Sequence, residues 1–231
     1  VEVQDNDGQT ASGSADASES YQALIDEMVA QGGHSYSWTD IAPEYNQDGG
    51  APGGNIRVGY LYNTERVQLK EAPKGTSTDA VDFENGDLTL NPGRIDPQNP
   101  IFEDTRKPLA AEFVFKGQEV IVIANHFNSK GGDDPLFGVT QPPVLDSEVQ
   151  RIQIAKLLNE FIAGIHEEDP KSNVVVLGDL NDFEFSKPIE VLEDGQLTNM
   201  IETLPEGERF TYNYQGNSQV LDHILVSNHL A

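Results

Sequence analysis

The sequence predicts a layered α/β domain with mixed β-sheets. Helix-like and strand-like segments alternate along its 231 residues, and the longest helical pattern, 146–166, is followed by a buried strand at 173–178. Several other strand pairs are joined by links too short for a parallel crossover, so their partners must be antiparallel. No repeat and no linker interrupts this alternation, and we expect a single domain over 1–231.

The first half combines one helix with several strands. A polar loop at 4–15 precedes a helical pattern for which Asp16 or Ser18 is the candidate N-cap. Residues 5–8 resemble part of a calcium loop, but the rest of that motif is missing, and we expect an Asx/Gly turn instead. The weakly periodic stretch 71–107 predicts a functional surface. Strand-like runs lie at 35–42, 56–62, 109–115 and 119–126.

The second half contains the clearest helix. An exposed loop at 128–143 precedes it, and Pro188 suits the first turn of a later, short helix. A hairpin-like pair at 210–214 and 219–226 follows. The apolar stripe of the long helix is expected to include Val149, Ile152, Leu157, Phe161 and Ile165.

The composition excludes several classes of protein. The chain has 39 acidic against 14 basic residues, a formal net charge of −25, and no cysteine. A disulfide scaffold, a thiolate zinc site and a cysteine nucleophile are therefore excluded, and no apolar run is long enough for a transmembrane helix. The negative charge repels polyanions, so an anionic substrate needs metal ions or local cations. Either a high-salt habitat or an ordinary acidic secreted protein accounts for this charge.

Four hydrophobic segments end in polar residues that carry chemistry. They are Val-Glu-Val-Gln (1–4), Ala-Asn-His-Phe-Asn-Ser-Lys (124–130), Leu-Gly-Asp-Leu-Asn-Asp (177–182) and Leu-Asp-His-Ile-Leu (221–225). In layered α/β folds, strand ends bring distant residues together. Taken singly, each segment has an ordinary structural explanation, such as a turn cap or a solvated acid.

Together these segments resemble the endonuclease/exonuclease/phosphatase family. GDLND after VVVL is the most specific element, and VEVQDNDG, GGNIRVGYLYN, RKPLAAEF, NHFNSKGG and LDHILVS follow the family order. The combination is most similar to bacterial extracellular nucleases of that family. The resemblance implies a four-layer α/β sandwich, with two mixed β-sheets packed face to face and helices outside.

The resemblance also assigns roles to individual residues. Glu2 matches the metal-binding glutamate of the family, and Asp179 matches the aspartate that orients or deprotonates the attacking water. Asn181 is placed to contact the phosphate or hold that aspartate. His126 matches a histidine that binds the phosphate or protonates the leaving group. Asp222 matches the aspartate that aligns a second catalytic histidine.

Three further residues are candidates for binding substrate phosphate. Arg106 falls where deoxyribonuclease-like members place a phosphate-binding arginine, although an ion pair with Glu103 or Asp104 is the alternative. Asn128 and Lys130 follow His126 in a loop that could cradle a phosphate. For Lys130 the alternative is a solvated loop lysine.

The function implied is hydrolysis of phosphodiester bonds in DNA, and in RNA as a further substrate, with Mg²⁺ or Mn²⁺ and with Ca²⁺ as a supporting ion. A phosphatase or lipid phosphodiesterase of the same family is the first alternative. A non-catalytic module that kept the fold is the second. The resemblance further implies an extracellular or periplasmic monomer without a membrane span, whose partner is the nucleic acid substrate.

We also expect the natural protein to extend beyond this segment, which resembles the family with its first and last strands removed. Upstream we expect a strand that ends in a metal-contacting Asn, and downstream a Ser-Asp-His motif. His223 cannot replace that histidine, because on a strand its side chain points away from the face of Asp222.

Overall fold

The computed structural model describes residues 1–135 and 137–231 and confirms the α/β class, with three α-helices and several β-sheets among those residues. Leu136, which falls within the loop expected at 128–143, lies outside the described residues. Two compact units are present, Val1–Asn125 and His126–Ala231. Within the described ranges, no helix is both long enough and apolar enough to cross a membrane.

The first unit contains one α-helix and most of the strands. The helix is α1 (Ser18–Ala30). The strands are β1 (Glu2–Val3), β2 (Ser37–Asp40), β3 (Arg57–Tyr62), β4 (Val67–Leu69), β5 (Phe83–Glu84), β6 (Asp87–Leu88), β7 (Gly93–Arg94), β8 (Leu109–Phe115) and β9 (Gln118–His126), of which the last residue begins the second unit.

The strands of the first unit pair in antiparallel fashion. β3 lies between β1 and β2, β8 pairs with β4, β7 and β9, and β5 pairs with β6. The short link predicted between 109–115 and 119–126 is confirmed as a hairpin turn. Lys116 and Gly117 both have positive φ, 51° and 78°, the backbone that a two-residue hairpin connection favours.

The N-terminus of α1 differs from the prediction. Ala17 occupies the N-cap position, so neither Asp16 nor Ser18 is the cap. The side-chain oxygen of Asn6 instead accepts hydrogen bonds from the backbone N–H groups of Glu19, at 2.9 Å, and Ser20, at 3.1 Å. The expected turn at 5–8 is confirmed, because the N–H of Asp7 donates to the side chain of Asp5 at 3.1 Å and the N–H of Gly8 donates to the carbonyl oxygen of Asp5 at 3.3 Å. Asn6 in this turn thus supplies the helix cap.

The second unit contains two α-helices and five strands after β9. The helices are α2 (Asp146–Glu168) and α3 (Lys187–Glu193), and Pro188 lies in the first turn of α3 as predicted. The strands are β10 (Val174–Asp179), β11 (Leu197–Asn199), β12 (Tyr212–Tyr214), β13 (Asn217–Gln219) and β14 (Asp222–Ser227). β14 lies between β10 and β11, and both pairings are antiparallel. Short 3-10 turns cover Pro100–Phe102 in the first unit and Met200–Thr203, Glu206–Glu208 and Asn228–Leu230 in the second.

Two predictions for the second unit were wrong in detail. The hairpin partner of 210–214 is β13 rather than 219–226, because β14 pairs with β10 and β11. The apolar stripe of α2 is also rotated, although Ile165 is fully buried as predicted. Val149 is 55% exposed, whereas Ile154, Leu158 and Ile162 are fully buried. The sequence has enough apolar residues on two neighbouring faces of α2 that periodicity alone does not select the buried one.

Candidate active site

Two carboxylates face each other where β10 ends and β14 begins. Asp179 and Asp222 are direct partners in the antiparallel register, so both side chains project from the same face of the sheet. Like charges in this arrangement repel each other, so a cation placed beside the two carboxylates would relieve that repulsion. Asp222 is exposed, whereas the next residue, His223, is buried on the opposite face. This confirms that His223 does not take the place of a histidine beside Asp222.

Asp179 also lies beside His126. One carboxylate oxygen of Asp179, Oδ2, is 3.8 Å from Nε2 of His126. The other, Oδ1, accepts a hydrogen bond of 2.8 Å from the backbone N–H of Asn181. Asn181 has a φ of 52°, a left-handed conformation that asparagine tolerates better than most residues. This turn brings the backbone N–H of Asn181 to Oδ1 of Asp179. Each carboxylate oxygen of Asp179 therefore has a neighbour, Asn181 at Oδ1 and His126 at Oδ2.

Backbone and side-chain hydrogen bonds connect the His126 segment to the Asp179 segment. The N–H of Phe127 donates to the carbonyl oxygen of Asp179 at 2.9 Å. The side-chain amide of Asn181 donates to the carbonyl oxygen of Phe127 at 3.0 Å. His126 and Asp179 are therefore held near each other by one main-chain bond and one side-chain bond to the main chain.

Asn128 and Lys130 lie on the loop after His126, and both make internal contacts. The amide of Asn128 donates to the carbonyl oxygen of Ser147 at 3.0 Å. The ammonium group of Lys130 forms an ion pair with Asp182 and lies 4.7 Å from the ring centroid of Phe183. Lys130 is thus not a freely solvated lysine. Phosphate binding by these two residues stays a prediction.

A buried ion pair that the motif analysis missed supports this loop. Nε of Arg151 donates to Asp182 at 2.9 Å, and both side chains are nearly inaccessible to solvent. Asp182, the last residue of the GDLND motif, is therefore buried and structural. Asp179 and Asn181 of the same motif line a cavity instead. Arg151 lies three and seven residues before Ile154 and Leu158, on the same helical face, but the sequence alone did not show that this face is the buried one.

His223 also supports the GDLND loop, from the face of β14 opposite to Asp222. Its Nε2 lies 2.8 Å from the carbonyl oxygen of Asp182, and its Nδ1 lies 3.0 Å from the side-chain amide of Asn199. Burial lowers the pKa of His223, although nearby acceptors and carboxylates act in the opposite direction. The neutral ring therefore has a positioning role.

Glu2 and Arg106 meet within the first unit. Nε of Arg106 is 3.9 Å from Oε1 of Glu2, and about a third of the Glu2 side chain is exposed. The ion pair expected as an alternative involved Glu103 or Asp104, and the structure shows Glu2 as one partner of Arg106. A solvent-accessible carboxylate is the donor that Mg²⁺ and Mn²⁺ prefer, and Glu2 therefore fits the predicted metal ligand.

A second group of carboxylates in the first unit is less suited to a metal. Carboxylate oxygens of Asp87, Glu112 and Glu119 lie within 4.8 Å of one another. The ammonium group of Lys70 lies among them, paired with Asp87, with Glu112 at 2.8 Å and with Glu119 at 2.7 Å. Burial lowers the pKa of Lys70, but these three hydrogen bonds outweigh it and raise the pKa above its ordinary value. The ammonium group of Lys70 already occupies the position among these carboxylates that a metal ion would need.

Asp179 of β10 and Asp222 of β14 line a cavity of about 380 Å³ within the second unit. This volume is within the range of small-molecule sites. Charged and polar side chains share the lining with aromatic ones. The lining includes Lys130, Asp179, Asn181, Tyr212, Tyr214 and Asp222.

The chain matches a known family in sequence. A model of the Endonuclease/Exonuclease/phosphatase family matches residues 89–231, which is more than half of the chain. This match includes the strands that carry His126, Asp179 and Asp222. No curated protein matches the chain.

Solved structures of low sequence identity share the fold. The human Nocturnin catalytic domain with bound sulfate anion is 14% identical, with a TM-score of 0.53 over 92% of this chain and 67% of that chain. A mannosyl-6-phosphatase from Bacteroides thetaiotaomicron is 15% identical, with a TM-score of 0.53 over 90% and 68%. D. rerio TDP2 complexed with single strand DNA product is 15% identical, with a TM-score of 0.50 over 90% and 66%.

Proposed function

Because the chain belongs to the Endonuclease/Exonuclease/phosphatase family, whose members are hydrolases of phosphate esters, we propose that it is a metal-dependent phosphodiesterase that cleaves nucleic acid. The observation that carries this proposal is the arrangement of His126 at the end of β9, Asp179 at the end of β10 and Asp222 at the start of β14. A module that only packs has no need for two opposed carboxylates and an adjacent imidazole at an accessible cavity.

Hydrolysis of a phosphodiester has three chemical requirements. A water must lose a proton, the charge on the phosphoryl oxygens must be stabilised, and the leaving oxygen must be protonated. We assign the first task to the carboxylate of Asp179, which the N–H of Asn181 holds in place. We assign His126 to the phosphate or the leaving oxygen, since an imidazole can donate a proton near neutral pH.

Glu2 is the residue we propose to hold Mg²⁺ or Mn²⁺. Its carboxylate is accessible and is a hard oxygen donor. When bound, such an ion stabilises negative charge on phosphoryl oxygens. Arg106 lies beside Glu2, and we propose that it contributes positive charge toward a substrate phosphate.

We propose DNA as the substrate and an extracellular or periplasmic location, as the motifs of bacterial extracellular nucleases imply. The likeness to TDP2 complexed with single strand DNA product supports the choice of nucleic acid. The likeness to a mannosyl-6-phosphatase supports a second candidate, in which the chain hydrolyses a phosphate monoester.

The test compares three substrates with the purified chain. Plasmid DNA, p-nitrophenyl phosphate and sphingomyelin are each incubated with Mg²⁺ and, separately, with EDTA. We expect Mg²⁺-dependent cleavage of plasmid DNA and little reaction with the other two. Faster hydrolysis of p-nitrophenyl phosphate than of DNA supports the phosphatase, and inactivity toward all three in Mg²⁺ argues for a non-catalytic module.

A further inference from the structure

The cavity beside Asp179 and Asp222 has a second kind of lining that the phosphodiester chemistry does not explain. Tyr212 and Tyr214 line the same cavity as these two carboxylates. They lie on β12, which pairs with β13 in a hairpin that joins no other strand in the described part of the chain. The aromatic lining therefore comes from a separate small element.

The two tyrosines present their rings to solvent instead of packing them into the core. They are two residues apart on one strand, so both project from the same side of it. Their rings stack with centroids 6.3 Å apart and an interplanar angle of 15°. Tyr212 is 46% and Tyr214 is 51% exposed. Packing of the hairpin does not require two half-exposed aromatic rings at the edge of a cavity.

Thr211 connects this hairpin to the carboxylate of β14. Its hydroxyl oxygen accepts hydrogen bonds from the backbone N–H groups of Leu221, at 3.0 Å, and Asp222, at 3.1 Å. Its own N–H donates to the carbonyl oxygen of Gln219 at 2.9 Å. The base of the hairpin is thereby held against the strand end that carries Asp222.

The charge of the chain indicates what such rings would bind. With a net charge of −25, the surface repels the phosphate backbone of a nucleic acid. Nucleobases are uncharged and planar, and their stacking on aromatic side chains does not depend on attracting phosphates. A base on the tyrosines would therefore supply affinity that does not depend on cationic residues.

We propose that Tyr212 and Tyr214 form a stacking platform for an unpaired base of the nucleic acid whose phosphodiester bond is cleaved at the adjacent carboxylates. This inference rests on the proposed function. Bases in a duplex have their faces covered by their neighbours, so the platform selects single-stranded or frayed substrate. The tyrosines are specificity residues and take no part in proton transfer.

The test uses two oligonucleotides, a single-stranded dT 12-mer and a 12-mer of the same backbone in which all sites are abasic. We expect Tyr212→Ala/Tyr214→Ala to raise KM for the dT 12-mer by about 5- to 150-fold, the range measured when a stacking side chain is truncated. Turnover at saturation and KM for the abasic 12-mer should change little. The matched Tyr212→Phe/Tyr214→Phe variant keeps both rings and should behave as the wild type.

Binding measured in EDTA separates this inference from the proposed function. Fluorescence anisotropy of each labelled 12-mer should show tighter binding of dT than of the abasic strand, and the alanine variant should lose that preference. Phe210→Ala is the control, since Phe210 is 57% exposed on the same segment but does not line the cavity. Equal weakening of both strands, or no weakening of either, overturns the platform. A wild-type chain that binds dT preferentially but cleaves nothing overturns only the proposed function.

Discussion

The carboxylate of Asp179 has two different neighbours, and each of its oxygens has a separate task. Oδ1 accepts the N–H of Asn181, and Oδ2 faces the imidazole of His126 at 3.8 Å. A carboxylate anchored by one oxygen can act as a base through the other, because the anchor fixes its orientation toward a bound water.

Asp179→Asn separates these two tasks. The asparagine oxygen can still accept the hydrogen bond from Asn181, so we expect normal folding. It cannot take up a proton, so the rate on DNA should fall by at least about a hundredfold. The measurement is kcat on plasmid or oligonucleotide DNA, with thermal unfolding in parallel. The control is Asp194→Asn, an exposed aspartate just after α3. Wild-type turnover in Asp179→Asn would contradict the assignment of Asp179 as the base.

Glu2 leads to a prediction about metal dependence. Removing the proposed carboxylate ligand in Glu2→Gln should raise the Mg²⁺ concentration for half-maximal activity by about tenfold or more, since even outer-shell changes cost about 10- to 100-fold in metal affinity. The chain should remain folded, because Glu2 is partly exposed. Activity is titrated with Mg²⁺, with the exposed Glu65→Gln as the control. An unchanged Mg²⁺ titration, or a Mn²⁺ anomalous peak far from Glu2, would remove the assignment.

At the scale of elements, the register of β14 against β10 decides which residues of β14 face the cavity. The register places Asp222 opposite Asp179 and, one position further, His223 opposite Gly178. A shift by one residue would exchange the faces of Asp222 and His223. The strand pairing thus sends one side chain to the cavity and the next to the support of the GDLND loop.

The support of that loop by α2 can be tested through the Arg151–Asp182 pair. Arg151→Met alone removes the buried cation beside Asp182, which keeps only the partly exposed Lys130 as an ion-pair partner, and should lower the free energy of unfolding by up to about 3–5 kcal/mol. The double variant Arg151→Met/Asp182→Leu removes both charges, and its loss should be smaller than the sum of the two single losses. Urea unfolding of the wild type, the singles and the double measures this coupling. Additive losses would show that the pair does not act as a unit.

The buried ring of His223 makes stability depend on pH. Because burial lowers its pKa below the ordinary value of 6.5, the unfolded chain binds this proton more readily than the folded chain. The neutral ring contributes its full stability above about pH 6.5, and this contribution is lost as the pH falls toward the lowered pKa.

His223→Gln should therefore flatten the decline of stability below pH 6.5, measured as the urea midpoint between pH 7.5 and 4.5. The exposed His229→Gln is the control, since His229 contacts only the side chain of Asn173 among the described hydrogen bonds. Identical pH profiles for His223→Gln and the wild type would contradict a buried neutral ring.

The net charge of the whole molecule disfavours the compact folded state and weakens binding of the proposed substrate, DNA. A net charge of −25 produces self-repulsion in the compact state and repulsion of DNA from its surface. The stacking platform and a metal at Glu2 are two ways to bind a polyanion without a basic surface. Both operate locally, so neither removes the general repulsion.

Added salt should relieve this repulsion. At about 1 M ionic strength the Debye length is about 3 Å, so surface charges no longer act on each other at a distance. We predict that the melting temperature and the activity on DNA both rise from 50 mM toward molar NaCl. KCl in parallel controls for effects specific to the sodium ion. Best activity near 50 mM with a steep loss above it would instead indicate binding dominated by cationic contacts to phosphate.

Much of this protein could be predicted from sequence, because some of its information is local. Alternating and helical periodicities predicted β3, β8, β9, β10 and α2 to within a few residues. The strand-end position of His126, Asp179 and Asp222 was visible as polar residues directly after apolar runs, and the order of these motifs identified the family. Turn chemistry was local as well, as at Lys116 and Gly117.

Only the tertiary structure decided which residues meet. The cap of α1 comes from Asn6, the buried face of α2 includes Arg151, and the aromatic lining of the cavity comes from Tyr212 and Tyr214. Likewise, the motif GDLND does not reveal that its first aspartate faces a carboxylate on β14 while its last is buried against a helix. These outcomes depend on strand register and on packing between segments far apart in the chain. A local pattern specifies an element and its two faces, whereas the partner of each face is chosen by the free energy of the whole fold.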